Sequence, residues 1–145
     1  LTSTNERYLI GLSTQYGLSA PTNIDPSTEV GCIAVCKLDG SQNLHIVHSS
    51  NGGTATTIDL GANFPADDTT LYYWRMEIYG NLSTGVTMDV TRVTRTDGTE
   101  LKHSEIITTN IDTSDHSPIL WVSNNTDAVD VDFRDRGLTT YSKTF

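Results

Sequence analysis

The 145-residue chain carries 18 acidic against nine basic side chains, a formal net charge of −9 at neutral pH and a pI near 4.6. Without a Lys/Arg cluster such a chain does not displace phosphate counterions, which argues against a nucleic-acid partner, and its charge repels an anionic membrane surface. The length suits one domain whose core needs no metal or disulfide staple, and no apolar run approaches the ~20 residues of a membrane-spanning helix.

Thr, β-branched and suited to a pleated surface, fills roughly one position in six, while Ala, Glu, Lys and Leu are thinly spread. Sheet is expected throughout. Arg7 to Ser13 reads as the first strand. Ser19 to Thr28, holding Pro21 and Pro26, reads as an irregular loop because proline removes ladder donors. Val30 to Leu38 is apolar on both faces, Ile33 and Val35 on one and Cys32, Ala34 and Cys36 on the other, which marks a central strand covered on each side. Asp39-Gly40 turns the chain into Asn43 to Ser50, where His45-Ile46-Val47-His48 alternates polar and apolar. Asn51-Gly52-Gly53 then supplies the positive-φ residues of a hairpin turn, and Ala55 to Leu60 resumes an extended run ending near Gly61. Asn63 to Thr69 is a loop. Thr70 to Tyr79 is the most aromatic strand, with Tyr72, Trp74, Met76 and Ile78 on one face and Tyr73, Arg75, Glu77 and Tyr79 on the other. Val86 to Arg95 meets Thr99 to Thr108 through Asp97-Gly98, a two-residue hairpin signal. Pro118 to Ser123 and Ala128 to Arg134 flank the turn at Asn124-Asn125-Thr126-Asp127, and Leu138 to Tyr141 adds a last strand. With no helical stripe, repeat or interior linker, residues 1–145 read as a single all-β domain built as a two-sheet sandwich or barrel.

Cys32 and Cys36 stand at i, i+4. On an extended strand they point the same way about 13 Å apart, beyond the ~7 Å reach of a disulfide, so buried free thiols suited to a reducing cytoplasm are expected. His45 and His48 fall on opposite strand faces, and with His103 and His116 they give no zinc spacing. Asp130, Asp132 and Arg134 form the polar face of a strand backed by Val129, Val131 and Phe133, without the oxygen-rich loop of a calcium site. A glycosidase needs two acids about 5 to 9 Å apart. Glu77 is alone on its strand, and Glu100 and Glu105 fall on opposite faces of theirs. No GxSxG elbow, P-loop or dinucleotide fingerprint is present. The expectation is a non-enzymatic chain with no catalytic, cofactor-binding or metal-ligating residue. The candidate functional surface is the face of Tyr73, Arg75, Glu77 and Tyr79. If exposed it can stack on the pyranose rings of a host-surface glycan; the favoured alternative is a packing face between sheets or between subunits. Asn81 and Asn124 head Asn-x-Ser/Thr triplets that read as polar turns.

Ser49 to Pro65, reading SNGGTATTIDLGANFP after Ser49, follows nearly residue by residue a segment of the form hNDGSGTATkIDLGanFP. Upstream, Ile10-Gly11-Leu12 followed by Ala20-Pro21-Thr22-Asn23-Ile24-Asp25-Pro26 is similar to an opening of the form GL…PTNvDPS, and Cys32 to Cys36 to a glycine-cysteine-isoleucine strand. In these residues the chain resembles domains at the ends of tailed-bacteriophage fibre and tail proteins. The resemblance spans most of the chain; after Thr96 only the strand pattern matches. It implies an antiparallel jelly-roll β-sandwich of the lectin-like kind, a fragment or terminal domain of a longer virion structural protein on a surface appendage, assembled in the host cytoplasm. It also implies a homotrimer in contact with other virion proteins and with a role in host attachment. The alternative function is a carbohydrate-binding module that recognises a host surface glycan.

Overall fold

The computed structural model describes residues 7–14, 25–66 and 72–123. All six residues of strand β2 (Cys32–Lys37) are buried. Ile33 and Val35 join one cluster, whereas Cys32, Ala34 and Cys36 join Leu9 and Val47 in another on the opposite face. A strand apolar on both faces belongs in the middle of a sheet. Here β2 lies third in a five-stranded antiparallel sheet ordered β4-β3-β2-β1-β8, whose other members are β1 (Arg7–Ser13), β3 (Leu44–Ser49), β4 (Thr56–Asp59) and β8 (Ser117–Ser123).

A second antiparallel sheet holds β5 (Tyr72–Asn81), β6 (Gly85–Thr94) and β7 (Glu100–Ile107) in that order. The two sheets pack as a β-sandwich. Ile33, Val35, Leu44 and Ile46 from the first meet Val86, Met88, Val90 and Ile107 from the second, with Trp74, Met76 and Ile78 of β5 packed alongside. Phe64 fills the seam, its ring centroid 6.2 Å from that of Trp74 and 6.0 Å from that of His103. Each fully buried side chain here, such as Ile33, Ile46 and Met88, contributes ~1.5–3 kcal/mol by leaving water. Across the outer face of the five-stranded sheet, Ser49 Oγ donates to Glu29 O at 2.8 Å, tying β3 to the segment that follows the 3-10 turn Pro26–Thr28. That turn is capped by Asp25, whose Oδ1 accepts from Ser27 N at 3.0 Å.

The hairpin between β3 and β4 forms where Asn51-Gly52-Gly53 places it. Gly53 N donates to Ser50 O at 3.0 Å, and Gly52 alone of the turn takes positive φ, 84°, as a type II turn requires at its third residue. From 60 residues away Asn110, itself at φ 53°, fits its side chain into this hairpin. Its Oδ1 accepts from Ser50 N at 3.0 Å and Ser50 Oγ at 3.1 Å, while its Nδ2 donates to Thr54 O at 2.8 Å and Thr56 Oγ1 at 3.1 Å. Three more bonds complete the lock: His48 Nδ1 donates to Asn110 O at 3.2 Å, Asn110 Nδ2 donates to His48 O at 3.4 Å, and Asn51 N donates to Asp112 Oδ2 at 2.8 Å. Gly53 leaves the room for it, since a Cβ there would sit 2.7 Å from Asn110 Oδ1.

The β6–β7 hairpin differs from its sequence reading. Asp97-Gly98 is not a two-residue loop; Thr94 N donates to Thr99 O at 2.9 Å and Gly98 N to Thr94 O at 2.8 Å, so Arg95–Gly98 forms a four-residue loop. A two-residue I′ turn needs positive φ at both central residues, and only Gly98 adopts it, at 73°. Asn81 closes the β5–β6 turn as a polar turn residue, its Oδ1 accepting from Ser83 N at 2.8 Å. Asn124, the strand of Asp130, Asp132 and Arg134, and Leu138 to Tyr141 lie outside the described residues, as does most of the loop from Ser19.

Both cysteines are free, buried and on one face of β2. Burial pushes the Cys32 thiol up to about 11 and the Cys36 thiol higher still. Native protein at neutral pH is therefore expected to resist thiol-reactive dyes and to react at both sites once denatured; fast labelling of the native chain would contradict this burial.

Candidate functional site

The inner face of β5 is spent on the sandwich, which turns Tyr73, Arg75, Glu77 and Tyr79 to solvent. Tyr73 is 40% exposed and Tyr79 53%. Between the two described sheets it is the other face of β5, with Trp74, Met76 and Ile78, that makes the packing contact. The register arranges this outer face as a grid. Across the three strands run Tyr73, Val93 and Glu100; then Arg75, Thr91 and Lys102; then Glu77, Asp89 and Ser104; then Tyr79, Thr87 and Ile106. Rows lie ~6.7 Å apart and strands ~4.8 Å apart, so side chains in neighbouring rows touch.

Asp89 is the hub. Only 3% exposed, it accepts from Ser104 Oγ at 2.6 Å and Tyr79 Oη at 3.1 Å, and its Oδ2 lies 2.6 Å from Lys102 Nζ. Burial pushes its carboxyl up, but the bonds from Lys102, Ser104 and Tyr79 and the charge of Lys102 outweigh this and hold it below the usual range. Lys102 is raised in turn by the same pair. Arg75 stands more loosely between two acids, Nε 3.4 Å from Glu77 and Nη2 3.9 Å from Glu100, all half exposed, so this pair adds little stability. Thr91, between Arg75 and Lys102 in its row, is 1% exposed and its hydroxyl has no hydrogen-bond partner.

The four residues singled out from the sequence thus share one open surface, and the register adds Asp89, Thr91, Lys102, Ser104 and Ile106. Glu77 is alone on β5, but Asp89 lies directly opposite it on β6. The missing signal was the β5–β6 register, which the short turn after Asn81 sets. Glu105 does fall on the opposite face from Glu100, within reach of His103 Nε2 at 3.4 Å. The other histidines are placed apart, His45 Nδ1 donating to Asn43 O at 3.1 Å and His116 Nδ1 to Ser114 O at 2.7 Å. Among the described residues no three His, Cys, Asp or Glu side chains are grouped to hold a metal ion. No family model, curated protein or solved structure matches the chain.

The Asp112 carboxyl, bonded by Ser114 N at 2.8 Å and by Asn51 N, is likewise held low. A carboxylate whose folded pKa is depressed stabilises the fold above its unfolded pKa, near 3.8, and loses that contribution as pH falls through the lower folded value. Urea midpoints should accordingly hold steady from neutral pH to about 5 and fall below about 4. Asp89→Asn should make the acid fall shallower; an unchanged slope would remove Asp89 from the account.

Proposed function

We propose that the chain is a non-enzymatic structural domain of a tailed-phage fibre, tail or head-decoration protein, and that the outer face of β5–β6–β7 is its host-attachment surface. The observation that carries this reading is the open Tyr73–Tyr79 face, with aromatic residues at both ends and a hydrogen-bonded centre. The likeness of Ser49 to Pro65 and of the Ile10-Gly11-Leu12 opening to phage appendage domains supports the virion setting, and the homotrimer comes with it. The carboxylates on the face support a binding role over a catalytic one. Asp89, kept ionised by three donors, is unsuited to act as a general acid opposite Glu77.

The rival use of the face, a contact between identical subunits, is opposed by charge. Arg75 and Lys102 meet Glu77, Asp89 and Glu100, leaving one negative charge on each copy of a chain already at −9. Tyr73→Ala and Tyr79→Ala in the intact protein should lower adsorption to host cells while sedimentation leaves the oligomer unchanged. Dissociation of the oligomer would assign the face to assembly, because truncating an aromatic anchor takes ~2 kcal/mol or more from a contact. Retention of both properties would overturn either use.

A further inference from the structure

The tether on Tyr79 selects a ligand class. Tyr79 stands at the end of the grid, yet its hydroxyl reaches across to Asp89 on the neighbouring strand and row, 3.1 Å away, while half of the residue remains exposed. A phenol held by its tip has given up rotamer freedom before any ligand arrives and offers the open side of its ring to solvent. Ile106, 71% exposed, ends the same row and widens the apolar shelf. One row inward lie Glu77, half exposed, and Ser104; Lys102, whose ammonium reaches Asp89, stands in the row beyond. The buried Thr91 hydroxyl between Arg75 and Lys102 still lacks a partner.

We infer that this corner binds an uncharged pyranose oligosaccharide. The apolar side of one sugar ring stacks on Tyr79 and rests against Ile106. Its hydroxyls donate to the Glu77 carboxylate and accept from the Lys102 ammonium, and the chain runs along β5 toward Tyr73, about 20 Å away by strand rise. Neutrality of the ligand follows from charge: both cations already face carboxylates, the face keeps one net negative charge, and the domain at −9 repels sialylated or uronate-rich chains. The inference rests on the outer face being the attachment surface.

The test is titration of the intact protein with neutral tetrasaccharides of glucose and of mannose, and with polygalacturonate and sialylated glycans, at millimolar concentration. Binding of a neutral chain is expected, with shifts of the Tyr79 ring resonances in the native protein. Tyr79→Ala should weaken it roughly tenfold or more and Tyr79→Phe, which keeps the ring but frees its tip, about threefold. The native-protein spectra stand even if Tyr79→Ala folds poorly. Binding of acidic chains alone, no binding across the panel, or binding that leaves Tyr79 unmoved would each overturn the inference. If adsorption still depends on Tyr73 and Tyr79 while no neutral chain binds, the ligand class falls and the attachment surface stands.

Discussion

Gly11→Ala is expected to be strongly damaging for a change of one methyl group, lowering stability by about 3 kcal/mol and the melting temperature by roughly 10 °C. Gly11 lies in the middle of β1 between Ala34 of β2 and Ile119 of β8. A Cβ there would stand 2.5 Å from the Ala34 Cα and 2.7 Å from its Cβ, and would run into the Ile33 carbonyl. These are backbone and near-backbone atoms of the strand buried on both faces, so nothing flexible can move aside. Gly40→Ala is the matched control: its φ of 67° disfavours a side chain, but no atom lies within 4 Å, and about 1 kcal/mol is expected. Thermal melts of the two variants decide the matter. If Gly11→Ala loses no more than Gly40→Ala, the close approach of β1 to β2 is not as described.

Asn110→Ala should lower stability by about 3 kcal/mol, and Asn110→Gly by about 1 kcal/mol less. Both variants remove the bonds to Ser50 N, Thr54 O and Thr56 Oγ1. Only alanine must also occupy a backbone at φ 53°, where glycine is at ease. The expected order, with glycine the milder replacement, is the reverse of the usual ranking in regular structure. It can be read from urea midpoints at constant m-value. Equal losses would mean that the backbone relaxes and that the side-chain bonds carry the whole effect.

Much of the fold is legible in the residues because alternation and turn chemistry are local. Cys32 to Cys36 gives away a strand covered on both faces, and Tyr72 to Tyr79 separates an inner from an outer face. What stays hidden depends on atoms distant in the chain. Gly11 appears in the sequence only as part of a familiar Ile10-Gly11-Leu12 opening, and its reason is a strand more than 20 residues on. Asp97-Gly98 has the composition of a tighter turn than it makes, since one positive φ cannot build a type I′ pair. For the candidate surface, the β5 half is readable from period two. Asp89, Lys102 and Ser104 are not, because which residue faces Glu77 is a matter of register, and a slip of one residue would have put Asp89 inside the sandwich.

The lock around the β3–β4 turn also sets a timetable for synthesis. The bonds joining Ser50 and Asn51 to Asn110 and Asp112, and His48 to Asn110, span 60 to 62 residues. A ribosome therefore releases the whole of β3, β4, β5, β6 and β7 before the amides at the hairpin tip meet their acceptors. β1 waits longer still for β8, which pairs Arg7 with Ser123. The three-stranded sheet, made of consecutive hairpins, can form as it emerges, whereas the five-stranded sheet closes only when the last described strand returns to the first. A truncated chain that ends before Asn110 would carry every residue of the Asn51-Gly52-Gly53 turn and lack the side chain that secures it.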